Sequence, residues 1–131
     1  MVPFFNLTKQ YQNLKSEINK AILSVCKSGM FVLGKNVTQF EKELANYIGV
    51  NYALGVSSGS AALILALEAL GIEEGDEVIV PANTYIATVF AVSHVGATPV
   101  FIDHDKYYNI NPDLIAEKIT NKTRAIIAVH L

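Results

Sequence analysis

The sequence predicts an α/β fold in three layers, with crossover helices covering a mostly parallel sheet. Two stretches in the first third repeat apolar residues at helical spacing, and after residue 50 short apolar runs alternate with helical segments. The chain of 131 residues is also 51% apolar and 17% charged, a balance that supports a well-buried core.

The first helix lies between Thr8 and Ser28, where Tyr11, Leu14, Ile18, Ile22 and Val25 form one stripe and Gly29 follows the end. Val37, Phe40, Leu44 and Ile48 mark a second helix, and Gly49 suits the left-handed residue that closes it. Residues 1–50 thus read as an N-terminal helical segment and 51–131 as the first part of a sheet domain. Strands are expected at 52–56, 77–80, 98–102 and 125–130. Helices are expected at 60–70, 84–94 and 112–119, with Gly71, Gly96 and Pro112 as punctuation. A sheet whose fourth strand leads straight to Leu131 leaves an apolar face and an edge uncovered, so the chain reads as the front of something longer.

Composition excludes several classes of partner. The formal net charge is −2 and the ten Lys and Arg are scattered, so nucleic acid is not an expected partner. No basic leader opens the chain, and the longest apolar run, 61–67, is far too short for a membrane span; a cytoplasmic protein is expected. Cys26 lies on the amphipathic first helix and reads as a small buried hydrophobe, not a nucleophile. The N-x-T triplets at Asn6, Asn36 and Asn121 are coincidental in such a protein. No pair of carboxylates or cysteines with ligand spacing accompanies His94 or His104, so no metal is expected.

The stretch Gly55-Val-Ser-Ser-Gly-Ser-Ala-Ala-Leu63 concentrates small hydroxylated residues where an apolar run becomes a helix. A helix beginning near Ser60 turns the amides of Gly59, Ser60 and Ala61 outwards with no intrahelical partner, and its dipole favours an anion there. Gly59 lets a ligand approach the backbone and the Ser60 hydroxyl adds a donor, which suits a phosphate. A Ser57 or Ser58 hydroxyl serving only as a helix cap explains the same residues without a ligand. The following strand ends in Pro81-Ala-Asn-Thr-Tyr85, which brings an aromatic to the same sheet edge, where parallel sheets bind ligands. Tyr85 can stack on a planar ring attached to the phosphate, or sit in the core.

Other nucleotide signatures fail. Gly29 to Lys35 has phosphate-loop spacing, but Asn36 stands where the magnesium-binding Ser or Thr belongs and a helix precedes the loop. A G-x-G-x-x-G motif is missing and the strand at 77–80 ends in Pro81-Ala82-Asn83, which disfavours NAD.

With these residues identified, the sequence closely resembles the front of the DegT/StrS-like sugar aminotransferases. The resemblance rests on Val2-Pro-Phe-Phe-Asn-Leu, Phe31-Val-Leu-Gly34, Phe40-Glu, Gly55 to Leu63, Gly75-Asp-Glu-Val-Ile-Val-Pro81, Thr84-Tyr-Ile-Ala-Thr88, Gly96 to Asp103 and Thr123 to His130. It implies the pyridoxal-phosphate transferase-like large domain of fold type I, truncated, and pyridoxal 5'-phosphate as cofactor. By the same resemblance Ser58, Gly59, Ser60 and Ala61 hold the cofactor phosphate and Tyr85 stacks on its ring. The family moves an amino group, usually from glutamate, to a keto group of a nucleotide-linked sugar. It also implies a homodimer, with the region 29–34 near the neighbouring subunit.

The chain stops short of the family's acid for the pyridine nitrogen and its Schiff-base lysine. Lysines 9, 15, 20, 27, 35, 42, 106, 118 and 122 fall on expected polar faces or loops, so no catalytic residue is assigned and the chain alone is expected to be inactive. A non-catalytic relic that acts by association, or a phosphate-binding module for another nucleotide, remain as alternatives. His130 is expected at the end of the last strand in a structural role, Asp103 and Asp105 in a solvated loop, and 107–109 in a turn.

Overall fold

The computed structural model describes residues 3–131; Met1 and Val2, where the family-like opening segment begins, lie outside the described residues. Chain contacts divide it into two units, one ending at Gly55 and the other spanning Val56–Leu131.

The first unit holds both long helices. Helix α1 spans Leu7–Ser28: Asn6 caps its start by accepting the Lys9 amide at 3.3 Å, and Gly29 ends it at φ 67°. Helix α2 spans Lys35–Ile48 and ends at Gly49, φ 81°, whose amide donates to the Ala45 carbonyl at 2.9 Å. Both terminal glycines take the left-handed conformation that β-carbon sterics disfavour in other residues. No residue of α1 is buried, and Cys26 is exposed, contrary to the expectation of a buried hydrophobe. The α1 stripe is shallow: Ile18 and Val25 are half-buried, and Cys26 follows Val25 one position off that line.

The strand expected at 52–56 does not form. Among the described residues no strand pairs with this segment, and the Gly55 amide donates instead to Glu41 Oε1, on α2, at 2.7 Å. An apolar run becomes a strand only where a neighbour offers a ladder. Tyr52 and Leu54 accordingly remain exposed.

The second unit is the parallel α/β part. Helix α3 is Gly59–Ala69, strand β1 Glu77–Pro81, helix α4 Ala87–His94, strand β2 Thr98–Ile102, helix α5 Ile115–Lys118 and strand β3 Thr123–Ile126, with a 3₁₀ turn at Pro112–Leu114. The strands are parallel in the order β2-β1-β3, so β1 is central. Val78, Ile79 and Val80 of β1 are fully buried; Val78 and Val80 join Leu67, Ile72, Ala91, Val92 and Ala97 in the core. Each large apolar side chain among them contributes about 1.5–3 kcal/mol when fully buried.

Three boundaries differ from expectation. Helix α4 begins at Ala87 and not at 84, because the chain bends through 82–84 after β1 and Thr84 turns its hydroxyl to Thr88 at 2.8 Å. The helix expected at 112–119 is a 3₁₀ turn and a single α-turn: Asn111 Oδ1 accepts the Asp113 amide, and Ile119 is already extended. The last strand is Thr123–Ile126 and not 125–130. It pairs earlier because the Glu77 amide donates to the Lys122 carbonyl at 2.9 Å, a register irregularity at Glu77/Val78 admits Arg124, and the last β1 bond is Ile127 N to Ile79 O at 2.9 Å. His130 therefore lies beyond the ladder, exposed.

Candidate functional site

The site is set by where α3 and α4 begin. Helix α3 runs to a turn in which the Gly71 amide donates to Glu68 O and the Ile72 amide to Leu67 O, and buried Ile72 leads towards the start of β1. Helix α4 leaves the far end of β1 and returns through Gly96, φ 83°, to the start of β2. The two helices pack on each other and both run back from the carboxyl edge of the sheet. Residues 58–61 and Tyr85 thus occupy the same sheet edge, the one where open parallel sheets take ligands.

At the start of α3, Ser58 is extended (φ −165°, ψ 164°) and is the N-cap. Its Oγ accepts the Ala61 amide at 3.1 Å and its carbonyl accepts the Ala62 amide at 3.0 Å. The capping role expected of a serine here belongs to Ser58, and it engages the Ala61 amide. The amides of Gly59 and Ser60 make no hydrogen bond among the described residues. Ser58 and Gly59 are exposed, Ser60 and Ala61 half-buried, and no acidic residue lies in the first turn to oppose an anion. A β-carbon on Gly59 would meet nothing within 4 Å, so nothing in the chain's own packing requires glycine there. The space in front of it is open.

Tyr85 is 78% exposed and is held by its backbone, since its carbonyl accepts the Thr88 amide at 3.0 Å. It is therefore not a core aromatic. The Thr84–Thr88 hydroxyl pair beneath it is not among the sequence expectations, although threonines four apart at a helix start are a readable signal. Thr88 is a buried polar side chain, 6% exposed, and the bond to Thr84 satisfies it. Pro81, a proline that ends the central strand, is a second signal that the apolar pattern hides.

The loop after β2 also leaves the carboxyl edge, but its carboxylates serve the loop itself, Asp103 Oδ1 accepting the His104 amide at 2.8 Å. Asp103 is exposed, while Asp105 Oδ1 accepts the amides of Tyr107 and Asn109 at 2.8 and 3.2 Å and shapes the turn in which Tyr108 has φ 66°. Every lysine is exposed; Lys106, in the loop after β2, holds its ammonium over the Tyr107 ring at 4.9 Å. Among the described residues no group of three His, Cys, Asp or Glu is placed to hold a metal ion, and no helix is long and apolar enough to cross a membrane. The first unit carries a separate depression of 390 Å³ lined by Ser24, Val25, Ser28, Met30, Phe31 and Val37, among others.

Comparison with known proteins gives one answer. The family model for the DegT/DnrJ/EryC1/StrS aminotransferase family matches residues 12–131. A dTDP-3-amino-3,6-dideoxy-alpha-D-galactopyranose transaminase of Aneurinibacillus thermoaerophilus is 47% identical over all of this chain, which spans 36% of that protein. The crystal structure of S. venezuelae DesV in complex with a ketimine intermediate superposes with a TM-score of 0.94 at 46% identity, over 99% of this chain and 35% of that one. NtdA from Bacillus subtilis, with bound cofactor PMP, gives 0.92 at 38% identity, over 99% of this chain and 30% of that one. The chain thus spans about a third of the length of the relatives it matches.

Proposed function

The chain belongs to the DegT/DnrJ/EryC1/StrS aminotransferase family, and we propose that it forms the amino-terminal part of a pyridoxal-phosphate-dependent aminotransferase acting on a nucleotide-linked sugar. The observation that supports this reading is the open start of α3, where the Gly59 and Ser60 amides lack partners at the edge that exposes Tyr85. Residues 1–50 serve as the helical lead-in and 51–131 as the first part of the cofactor-binding domain.

The residues fit a phosphorylated aromatic cofactor. The Gly59 and Ser60 amides and the Ser60 hydroxyl donate to the phosphate, with the α3 dipole favouring its charge. Ser58 fixes the turn and engages the Ala61 amide, so these two frame the seat. The Tyr85 phenol offers a flat face to the ring, an offset stack that contributes about 0.5–1.5 kcal/mol beyond burial. Bound pyridoxal phosphate supplies the electron sink that amino-group transfer needs. This chain's part is to bind and orient it. Each lysine of the chain is exposed, and we assign none of them the covalent hold on the cofactor, a role for which a desolvated amine is suited.

In the whole enzyme glutamate donates the amino group and a keto carbon of the nucleotide sugar receives it. The protein works in the cytoplasm as a homodimer, with exposed Met30, Phe31, Val32 and Leu33 covered by the second copy. Titrating pyridoxal 5'-phosphate into the chain while recording induced circular dichroism of the cofactor band tests this reading. We expect a signal that Ser60→Ala weakens and that ATP does not displace. An undiminished signal in the variant, or displacement by ATP at equal concentration, would favour a different phosphate ligand or site.

A further inference from the structure

Two prolines lie in the sheet, and they occupy opposite situations. Within β2, Thr98 donates to Asp76 O at 2.8 Å and Ile102 O accepts the Ala82 amide at 2.8 Å, so the even-numbered residues of β2 bond to β1. Pro99 therefore turns its nitrogen away from β1 on an outer strand, where a missing N–H costs no ladder bond. Pro81 is the last residue of the central strand, which has a neighbour on each side, so there a missing N–H on either side removes a ladder bond.

The register shows which bond Pro81 removes. Even-numbered groups of the β1 stretch, Asp76 O and Ala82 N, bond to β2, while odd-numbered groups, Glu77 N and Ile79 O, bond to β3. The nitrogen of Pro81 thus faces β3. The rung after Ile127 N to Ile79 O would run from residue 81 N–H to Ile127 O, and proline has no hydrogen to give. Pairing stops there, and Val129, next in line for the Pro81 carbonyl, makes no bond to it. The opposite end of the same strand pair is fastened: Glu77 N bonds to Lys122 O, Thr120 Oγ1 to Glu77 Oε2 at 2.6 Å, and Arg124 Nε to Asp76 Oδ1 at 3.2 Å.

The position of this opening is not arbitrary. The chain goes from β1 to β2 on one side and then crosses to β3 on the other, so the strand order reverses between β1 and β3. The carboxyl end of that pair is the crevice in which open α/β sheets take ligands.

We propose that Pro81 is a positioning residue, a ladder stop that ends β1–β3 pairing and keeps the crevice at their carboxyl ends open for a phosphorylated ring ligand. The ligand class rests on the proposed cofactor-binding function, whereas the ladder stop rests on register alone.

The test compares the full chain with Pro81→Ala, Pro81→Val and, as control, Pro99→Ala, by residue-resolved amide hydrogen exchange and by titration with pyridoxamine 5'-phosphate. With an N–H restored at 81, the Val129 amide slows by roughly fivefold or more, as a newly paired amide does. Ligand affinity falls several-fold in both Pro81 variants, and Pro99→Ala changes neither quantity. A Val129 amide that stays fast in whichever Pro81 variant folds, or is already protected in the unsubstituted chain, overturns the ladder stop. A slowed Val129 with unchanged affinity overturns its service to the site. If the unsubstituted chain binds no pyridoxamine phosphate, the cofactor-binding function and the ligand half of the proposal fall together, and the exchange arm still decides the ladder stop.

Discussion

The Ser58 hydroxyl oxygen accepts the Ala61 amide at 3.1 Å, and this one bond separates two serines that look interchangeable in the sequence. Ser58 is committed to capping α3, whereas Ser60 has no such bond. Ser58→Ala should cost about 1 kcal/mol of stability, the usual loss for a serine N-cap. Ser60→Ala should leave stability within about 0.5 kcal/mol while weakening phosphate-ligand binding. Urea denaturation read beside ligand titration of both variants checks the split; equal stability losses would contradict it.

Gly59→Ala should move stability and binding in opposite directions. The added methyl meets no protein atom within 4 Å, and alanine is preferred over glycine in a helix by up to about 1 kcal/mol. The same methyl adds bulk in the open space at the start of α3, where the proposed ligand approaches. The variant is expected to melt at a higher temperature yet bind pyridoxamine 5'-phosphate more weakly, and a calorimetric scan with a binding isotherm reads both. Tighter or unchanged binding would mean that the ligand does not approach there.

The Thr84–Thr88 pair predicts a non-additive result. Thr88→Val leaves the half-buried Thr84 hydroxyl with only its long 3.4 Å bond to the Tyr85 carbonyl and should cost about 1 kcal/mol. Replacing both threonines by valine removes donor and acceptor together, so the double variant should be no less stable than Thr88→Val. A double-mutant cycle by chemical denaturation measures the coupling; simple additivity of two losses would show that the bond contributes nothing.

Phe31 should govern self-association. It is 70% exposed between Met30 and Val32, which are also exposed, in a turn tight enough that a β-carbon on Gly34 would sit 3.1 Å from the Met30 carbonyl. Phe31→Ser is expected to shift sedimentation towards the monomer at concentrations where the unsubstituted chain associates. A monomer at every concentration in both proteins would contradict the proposed second copy.

Features governed by neighbouring residues in the chain were legible in the sequence. Gly29 and Gly49 end α1 and α2 as their positions announce, β2 runs Thr98–Ile102 as its apolar run suggests, and α3 begins one residue before Ser60. What misled depended on distant partners. The 52–56 run has strand composition but no ladder, and the Gly55 amide found a carboxylate on α2. The end of β3 depends on a proline more than forty residues earlier, which no local pattern around 125–130 reveals. Cys26 is exposed because α1 buries none of its residues, a tertiary fact that an amphipathic stripe does not encode. At the candidate site, the serine-rich turn and Tyr85 were readable from motif and edge, but the division of labour between Ser58 and Ser60 required the hydrogen bonds themselves.

The most direct measurement is an amide-resolved NMR titration with pyridoxamine 5'-phosphate, run beside pyridoxamine, which has the ring without the phosphate and, like its ester, no aldehyde to react with surface lysines. The Gly59 and Ser60 resonances should shift with the phosphorylated compound and stay in place with the other, while the Tyr85 ring signals respond to the phosphorylated ligand. If those two amides do not move, or move equally with pyridoxamine, the start of α3 is a capped helix end and not a seat for phosphate.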